Sequence, residues 1–294
     1  MSDLSTRPDL LHEPVLRWYD DHRRDLPWRR PAASAWSVMV SEFMLQQTPV
    51  ARVLPVHEQW LERWPTPAGL AAEPTGEAVR AWGRLGYPRR ALRLHAAAVA
   101  IVERHDGAVP EEYDALLALP GVGDYTAAAI ASFAYGRRHV VLDTNVRRVL
   151  ARVVGGEELP PASLTRAERD RATALLPESD AMAATWAVAT MELGALVCTA
   201  AAPACERCPV VDLCAWRGAG QPAYAGPARR VQTWAGTDRQ CRGRLLAVLR
   251  DSDGPVHRSR LDAAWYDPAQ RDRALAGLLA DGLLHQVGPD TFAL

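Results

Sequence analysis

Apolar residues recur at helical spacing in Leu11–Trp18, Val38–Leu45, Ala91–Val102, Ala127–Tyr135 and Thr185–Val197. Strand-like alternation is scarce over the same span. Proline and glycine break the pattern at Trp64–Pro67, Gly83–Pro88, Leu119–Gly123 and Gly155–Pro161. Residues 8–217 therefore read as helical. Residues 218–236 contain Gly218, Gly220, Pro222, Gly226, Pro227 and Gly236 and read as a linker. Beyond it, Thr237–Asp251 and Arg271–Asp281 have amphipathic helical patterns. Leu283–Val287 and Thr291–Leu294 then flank the Gly288–Asp290 turn as two short strands. Helices followed by a hairpin suggest a small winged-helix-like unit.

The chain has 294 residues, 48% of them hydrophobic, which gives room for two or three packed units and excludes a disordered chain. No stretch approaches the length of a membrane span. Met1–Asp20 lacks a basic start followed by an apolar core, so a cytoplasmic location without membrane attachment is expected. A net charge of −1 gives no global attraction to nucleic acid, so local charge has to carry any such role. Arginines cluster at Arg23, Arg24, Arg29 and Arg30, and again between Arg80 and Arg93. A third cluster runs from Arg137 to Arg152. Taken singly, each run reads as a solvated helix face. All 34 basic residues are arginine, and the sequence contains no lysine.

Four of the five cysteines lie in one segment: Cys198, Cys205, Cys208 and Cys214, with gaps of six, two and five residues. Four thiolates so close in sequence suit a structural zinc ion or an iron–sulfur cluster, and spacing alone leaves both open. A disulfide framework suits a cytosolic chain less well. Cys241 stands apart as a free thiol. Either metal group would fold a loop from which Arg207 and Arg217 could face phosphate.

Leu119-Pro-Gly-Val-Gly-Asp-Tyr-Thr-Ala127 joins two helical patterns. The amides of Gly121 and Gly123, followed by a helix N-terminus, can hold a DNA phosphate, although a plain glycine turn has the same look. Asp143 ends the apolar run Val140–Leu142 and precedes another helical pattern, the setting of an N-cap. Cap hydrogen bonds and the helix dipole would keep it ionised. An ionised carboxylate is what an oxocarbenium-like transition state needs beside it. Glu42 lies in a mostly apolar helix, one turn from Val38, Met39 and Leu45. Apolar surroundings would raise its pKa and make it a proton donor at neutral pH. The alternative is a glutamate on a polar side shared with Ser37 and Ser41.

These segments together resemble the MutY family of DNA glycosylases, within the endonuclease III superfamily. Ser41-Glu-Phe-Met-Leu-Gln-Gln-Thr48 matches the family's Ser-Glu-x-Met-Leu-Gln-Gln-Thr almost residue for residue. Leu119–Gly123 resembles its helix–hairpin–helix, Leu142-Asp-Thr-Asn-Val146 its catalytic aspartate segment, and Arg24-Asp-Leu-Pro-Trp-Arg29 its N-terminal motif. The cysteine gaps resemble its [4Fe–4S] loop. The likeness covers about residues 12–217.

The resemblance implies an all-α helix–hairpin–helix glycosylase. A six-helix barrel domain would span residues 30–137. A [4Fe–4S] helical domain would combine 1–29 with 138–217, and the active site would lie in the cleft between them. The linker 218–236 and a winged-helix-like unit, 237–294, would follow. The implied activity is monofunctional removal of adenine mispaired with 8-oxoguanine or guanine from double-stranded DNA, by a monomer, in base excision repair. Glu42 would protonate the flipped adenine at N7 and Asp143 would stabilise the sugar cation. Tyr125 occupies the hairpin position where lyase relatives carry a lysine. Arg24, Leu26, Trp28 and Arg29 would line the adenine pocket, and Glu192 would complete it. Gln47 would wedge into the base stack, and Gly121 and Gly123 would bind phosphate. Cys198, Cys205, Cys208 and Cys214 would hold the cluster.

Two features depart from the family pattern. Its Gly-Tyr-Tyr segment reads Gly86-Tyr-Pro88 here, and residues after 236 do not resemble its nucleotide-hydrolase-like domain. Both bear on recognition of the opposite base. A thymine or uracil glycosylase acting opposite guanine, and a non-catalytic DNA-binding protein, remain the competing readings.

Overall fold

The computed structural model describes residues 7–227 and 234–294. Part of the expected linker, residues 228–233, lies outside the described residues. All five helical stretches expected from apolar spacing are helices, and both expected C-terminal strands form. Among the described residues no helix is long and apolar enough to cross a membrane. The chain divides into two compact units. The first takes in the described residues up to Met39, Glu111–Ala118, and Val122 onward to 227. The second takes in Val40–Pro110, Leu119–Gly121 and residues 234–294.

The first unit is built on the helix Asp180–Leu196, which packs against Asp9–His22, Asp124–Tyr135 and Thr144–Val153. That central helix is apolar nearly all round, as a helix surrounded by others must be. Its Ala189 and Leu193 join Leu11, Val15, Val149 and Val153 in one buried cluster. Each such aliphatic side chain contributes roughly 1.5–3 kcal/mol by leaving water. The helix Arg166–Ala174 has a weaker apolar pattern and depends more on its start. There Thr165 and Glu168 cap each other's backbone amides in a capping box.

In the second unit the helices Val50–Arg63, Thr75–Trp82 and Arg89–Arg104 enclose three fully buried tryptophans. Trp60 meets Trp64 and Trp82 edge-on, with ring centroids 4.7 and 5.7 Å apart. The C-terminal residues belong to this same unit. They form the helices Asp238–Arg250, Arg258–Asp262 and Pro268–Ala280 and the strands β1 (Val256–His257), β2 (His285–Gly288) and β3 (Thr291–Ala293). The sheet is antiparallel in the order β1-β3-β2, with Phe292 of β3 opposite Val256 and Gln286. A two-residue strand such as β1 has no periodicity to read, so only its partners reveal it.

Reciprocal arginine contacts hold this C-terminal module in place. Arg80 donates to the carbonyls of Leu249, Arg250 and Ser252, and Arg250 donates to Val79 O. Burial pulls the Arg250 guanidinium down to about 10. At Gly76 an added Cβ would lie 2.6 Å from Leu294 O, so only glycine lets the Leu294 backbone pass there.

Candidate active site

The helix Ala35–Leu45 carries Glu42, which is 5% exposed. Ser37 and Ser41 are buried as well, so the helix offers no exposed polar side for a glutamate to occupy. The segment after it, Gln46–Thr48, turns through Gln47 at a φ of +55° and leaves that side chain exposed. A second turn, Gly86–Pro88, holds Tyr87 at +46° and 46% exposed. Pro88 is no aromatic wedge; it caps the helix Arg89–Arg104.

One buried side chain ties these two turns together. Arg90, 5% exposed, donates through Nη1 to the carbonyls of Phe43, Met44 and Gln46, at 2.8, 3.0 and 2.6 Å. Through Nη2 it donates to Thr48 Oγ1 and Gly86 O, both at 3.0 Å. These carbonyls include ones left unpaired at the end of the Glu42 helix. Burial pulls Arg90 down to about 10, still well above neutral pH, so it is a buried cation stabilised by many acceptors. The Arg80–Arg93 run is therefore not simply a solvated face.

In the first unit Glu192 has a fully buried carboxylate. Arg24 donates to it from its backbone N, Nε and Nη2 at 3.0, 2.8 and 2.6 Å, and Arg29 Nη1 lies 2.8 Å away. Burial alone would raise this carboxyl. The two guanidinium groups outweigh it and bring Glu192 down to about 2. Leu26 and Trp28 are both buried in the same segment.

Asp143 is the N-cap of the helix Thr144–Val153, and its Oδ1 accepts from Val146 N at 2.7 Å. Its Oδ2 accepts from Asn145 Nδ2 at 2.8 Å. Asn145 Oδ1 in turn accepts from Arg148 Nη2 at 2.7 Å, and Arg148 also donates to Gly194 O and Cys198 O, each at 2.7 Å. Gly194 is required by this packing, because a Cβ there would lie 2.7 Å from Asn145 Cβ. The cap was expected to dominate the charge of Asp143. Burial is the larger influence and raises its pKa, while the hydrogen bonds from Val146 and Asn145 pull the other way. Arg148 and Arg152, read from sequence as surface charge, are 8% and 1% exposed. The signal that could have found Arg148 is its i,i+3 spacing from Asn145.

Within the hairpin, Gly121 has φ +77° and an added Cβ would meet Arg93 Cβ at 2.6 Å. Gly123 has an ordinary φ of −110° and caps the helix Asp124–Tyr135 with nothing within 4 Å of an added Cβ. Gly121 is thus needed for its backbone, whereas Gly123 leaves open space. Tyr125 lies in the first turn of that helix, half-buried against Ala128, Ala129, Val141 and Ala187.

Cys198, Cys205, Cys208 and Cys214 all line one largely apolar cavity with Val149, Leu193 and Trp216. Arg152 reaches it from the Thr144–Val153 helix, donating to Cys198 Sγ at 3.4 Å and to the carbonyls of Thr199 and Ala200. Its guanidinium stacks on Trp216 at 4.6 Å. Burial pushes the Cys208 thiol up to about 11, so a cationic group is needed to make it a thiolate ligand at neutral pH. Among the described residues no three His, Cys, Asp or Glu side chains converge as a single-ion site. Four thiols lining one shared cavity are a donor set that a [4Fe–4S] cluster could take.

Residues 40–174 match the HhH-GPD superfamily of base excision DNA repair proteins. A thermostable thymine-DNA glycosylase structure superposes over 74% of this chain and all of its own, with a TM-score of 0.65 and 24% identity. That likeness establishes the fold as the helical one of this class. The adenine DNA glycosylase of Mycolicibacterium smegmatis is 58% identical over 281 residues, covering 95% of this chain and 94% of its own. The Mycobacterium tuberculosis adenine DNA glycosylase is 53% identical over 95% and 92% of the respective chains. The chain belongs to the adenine DNA glycosylase family.

Proposed function

We propose that this protein is a monofunctional glycosylase that hydrolyses the N-glycosidic bond of adenine mispaired with 8-oxoguanine or guanine in double-stranded DNA, acting as a monomer in base excision repair. The observation that carries this reading is 58% identity over nearly the whole chain to an adenine DNA glycosylase, with Glu42 and Asp143 both present in their motifs.

The reaction follows from the two carboxyl groups. The adenine is turned out of the stack, and Glu42 delivers a proton to its N7. The C1′–N9 bond breaks, its electron pair leaves with adenine, and positive charge develops at C1′ and the ring oxygen. The Asp143 carboxylate stabilises that charge. Water adds at C1′ and yields a proton to Glu42, which restores the acid and leaves an abasic site. Arg24, Leu26, Trp28, Arg29 and Glu192 shape the adenine pocket, with Glu192 kept ionised by its two arginines. Gln47 enters the stack, the Gly121–Gly123 hairpin binds phosphate, and Tyr125 stands where lyase relatives carry a lysine.

Cys198, Cys205, Cys208 and Cys214 are the proposed ligands of a [4Fe–4S] cluster. Bound there, the cluster supplies iron–thiolate bonds that fold the loop between Cys198 and Cys214. Arg152 and Arg148 anchor this loop to the helix that Asp143 caps.

The test is single-turnover cleavage of duplexes carrying adenine opposite 8-oxoguanine or guanine, and thymine or uracil opposite guanine. Release of adenine is expected. Release of thymine or uracil instead would establish the mismatch-specific alternative, and binding without release of any base would establish the non-catalytic one.

A further inference from the structure

In the C-terminal module, most charged side chains of the helix Pro268–Ala280 are committed to ion pairs. Arg271 pairs with Asp262 at 2.7 Å and Arg273 with Asp238 at 3.4 Å, while Asp272 takes Arg258. A helix whose cations are already neutralised is poorly placed to attract phosphate. The helix Asp238–Arg250 differs. Its Arg239 is exposed and forms no ion pair among the described residues; its guanidinium lies over the Tyr87 ring, 5.6 Å from the centroid. Arg90 lies 5.5 Å from the same ring.

This contact brings the module to the Gly86–Pro88 turn, and others extend it. Asp281 pairs with Arg89 at 3.1 Å and with Arg242, linking module and turn through one carboxylate. Four residues after Arg89, the exposed Arg93 has its Cβ against Gly121 of the hairpin. Tyr87, Arg89, Arg93 and Arg239 thus border one patch that is exposed, cationic and aromatic. Its acidic members are already engaged: Asp281 by two arginines, and Asp238 by Arg273 and Gln270. Unpaired arginine beside an exposed aromatic ring suits a nucleic-acid backbone, since the planar guanidinium can stack and still donate to phosphate.

We propose that Arg239 is a DNA-binding residue supplied by the C-terminal module: it holds the Tyr87 ring from outside and donates its free N–H groups to a backbone phosphate of the bound duplex. The module then reaches DNA through its first helix. The proposal rests on the reading of this protein as a DNA glycosylase, but its test does not depend on catalysis.

Affinity of the full-length protein for an undamaged duplex is measured across a range of salt concentrations for wild type, Arg239→Gln, Arg239→Lys and Arg273→Gln. The slope of log K against log salt falls by about 0.9 for each phosphate that is no longer neutralised. Arg239→Gln is expected to show that decrease at an unchanged Tm, Arg239→Lys to retain most of the slope, and Arg273→Gln to match wild type. A wild-type slope in a folded Arg239→Gln protein overturns the proposal. As a check independent of folding, wild type is titrated with duplexes carrying single neutral methylphosphonates. One position should weaken wild type and leave Arg239→Gln unaffected; no such position anywhere along the duplex also overturns it. If wild type releases no base from any mismatch, the glycosylase reading fails while the salt slopes still decide the role of Arg239.

Discussion

Asn145 donates to Asp143 Oδ2 at 2.8 Å while its own carbonyl oxygen accepts from Arg148 at 2.7 Å. The amide is therefore held in one orientation, with its N–H pointing at the carboxylate. Burial raises Asp143, and this hydrogen bond is one of the contacts that oppose the rise. Replacing Asn145 by alanine removes the donor and lets the pKa climb further. The acid limb of the single-turnover pH–rate profile should move upward by about one pH unit, the usual worth of a hydrogen bond to a charged group. A profile superimposable on wild type would show that Asn145 does not tune the aspartate.

Glu42→Gln keeps the shape and buried setting of the side chain but carries no transferable proton. Base release should slow by at least about a hundredfold, the lower end of general acid catalysis, with DNA affinity retained. Near-normal single-turnover rates would remove Glu42 from the role of acid.

The two carboxylates differ in how far their settings were legible. Both motifs stand out along the chain, and so does the helical periodicity around them. Asp143 as an N-cap follows from its place between an apolar run and a helix. The net direction of its pKa does not, because burial arises from residues distant in sequence. For the same reason the arginine runs misled: spacing alone cannot distinguish a guanidinium in water from Arg90, Arg148 or Arg152, whose acceptors come from up to 50 residues away. The C-terminal hairpin was readable from its turn, whereas β1 exists only because β3 pairs with it.

Glu192 supplies an acid-sensitive contribution to stability. Its folded pKa of about 2 is below the ordinary 4.5, so the contribution is fully present above pH 4.5 and is lost as pH falls through 2. Glu192→Gln leaves Arg24 and Arg29 without their counter-ion and should cost about 3 kcal/mol near neutral pH. The gap in unfolding midpoint between wild type and variant should narrow steadily below pH 4.5. A gap independent of pH would mean that the ion pairs contribute little.

Cys208→Ser exchanges one proposed cluster ligand for a weaker one. Protein purified anaerobically should lose iron, inorganic sulfide and brown colour relative to wild type, and soluble yield should fall because ligation contributes to folding of the loop. Wild-type protein containing zinc and no iron would overturn the cluster assignment.

Strand cleavage through a lysine imine requires a primary amine on a side chain, and the sequence contains no lysine. Arginine cannot substitute, because its guanidinium remains protonated. Borohydride added during base release should trap no covalent protein–DNA adduct, and strand breaks should appear only after alkali or heat. A high yield of trapped adduct would overturn the monofunctional reading and point to the N-terminal amine in the site.

On the proposed reading, in which Gln47 enters the base stack, Arg90 would shape how a duplex is first met. With one guanidinium bonded to both the Gln47 and Gly86 turns, the two tips take their strained left-handed conformations as part of folding. Little freedom would be left for them to lose when DNA arrives. A preordered edge would present itself alike to paired and mispaired duplexes, so first encounters would select weakly. Selectivity would then reside in residence time: how long a site is held before it slips away.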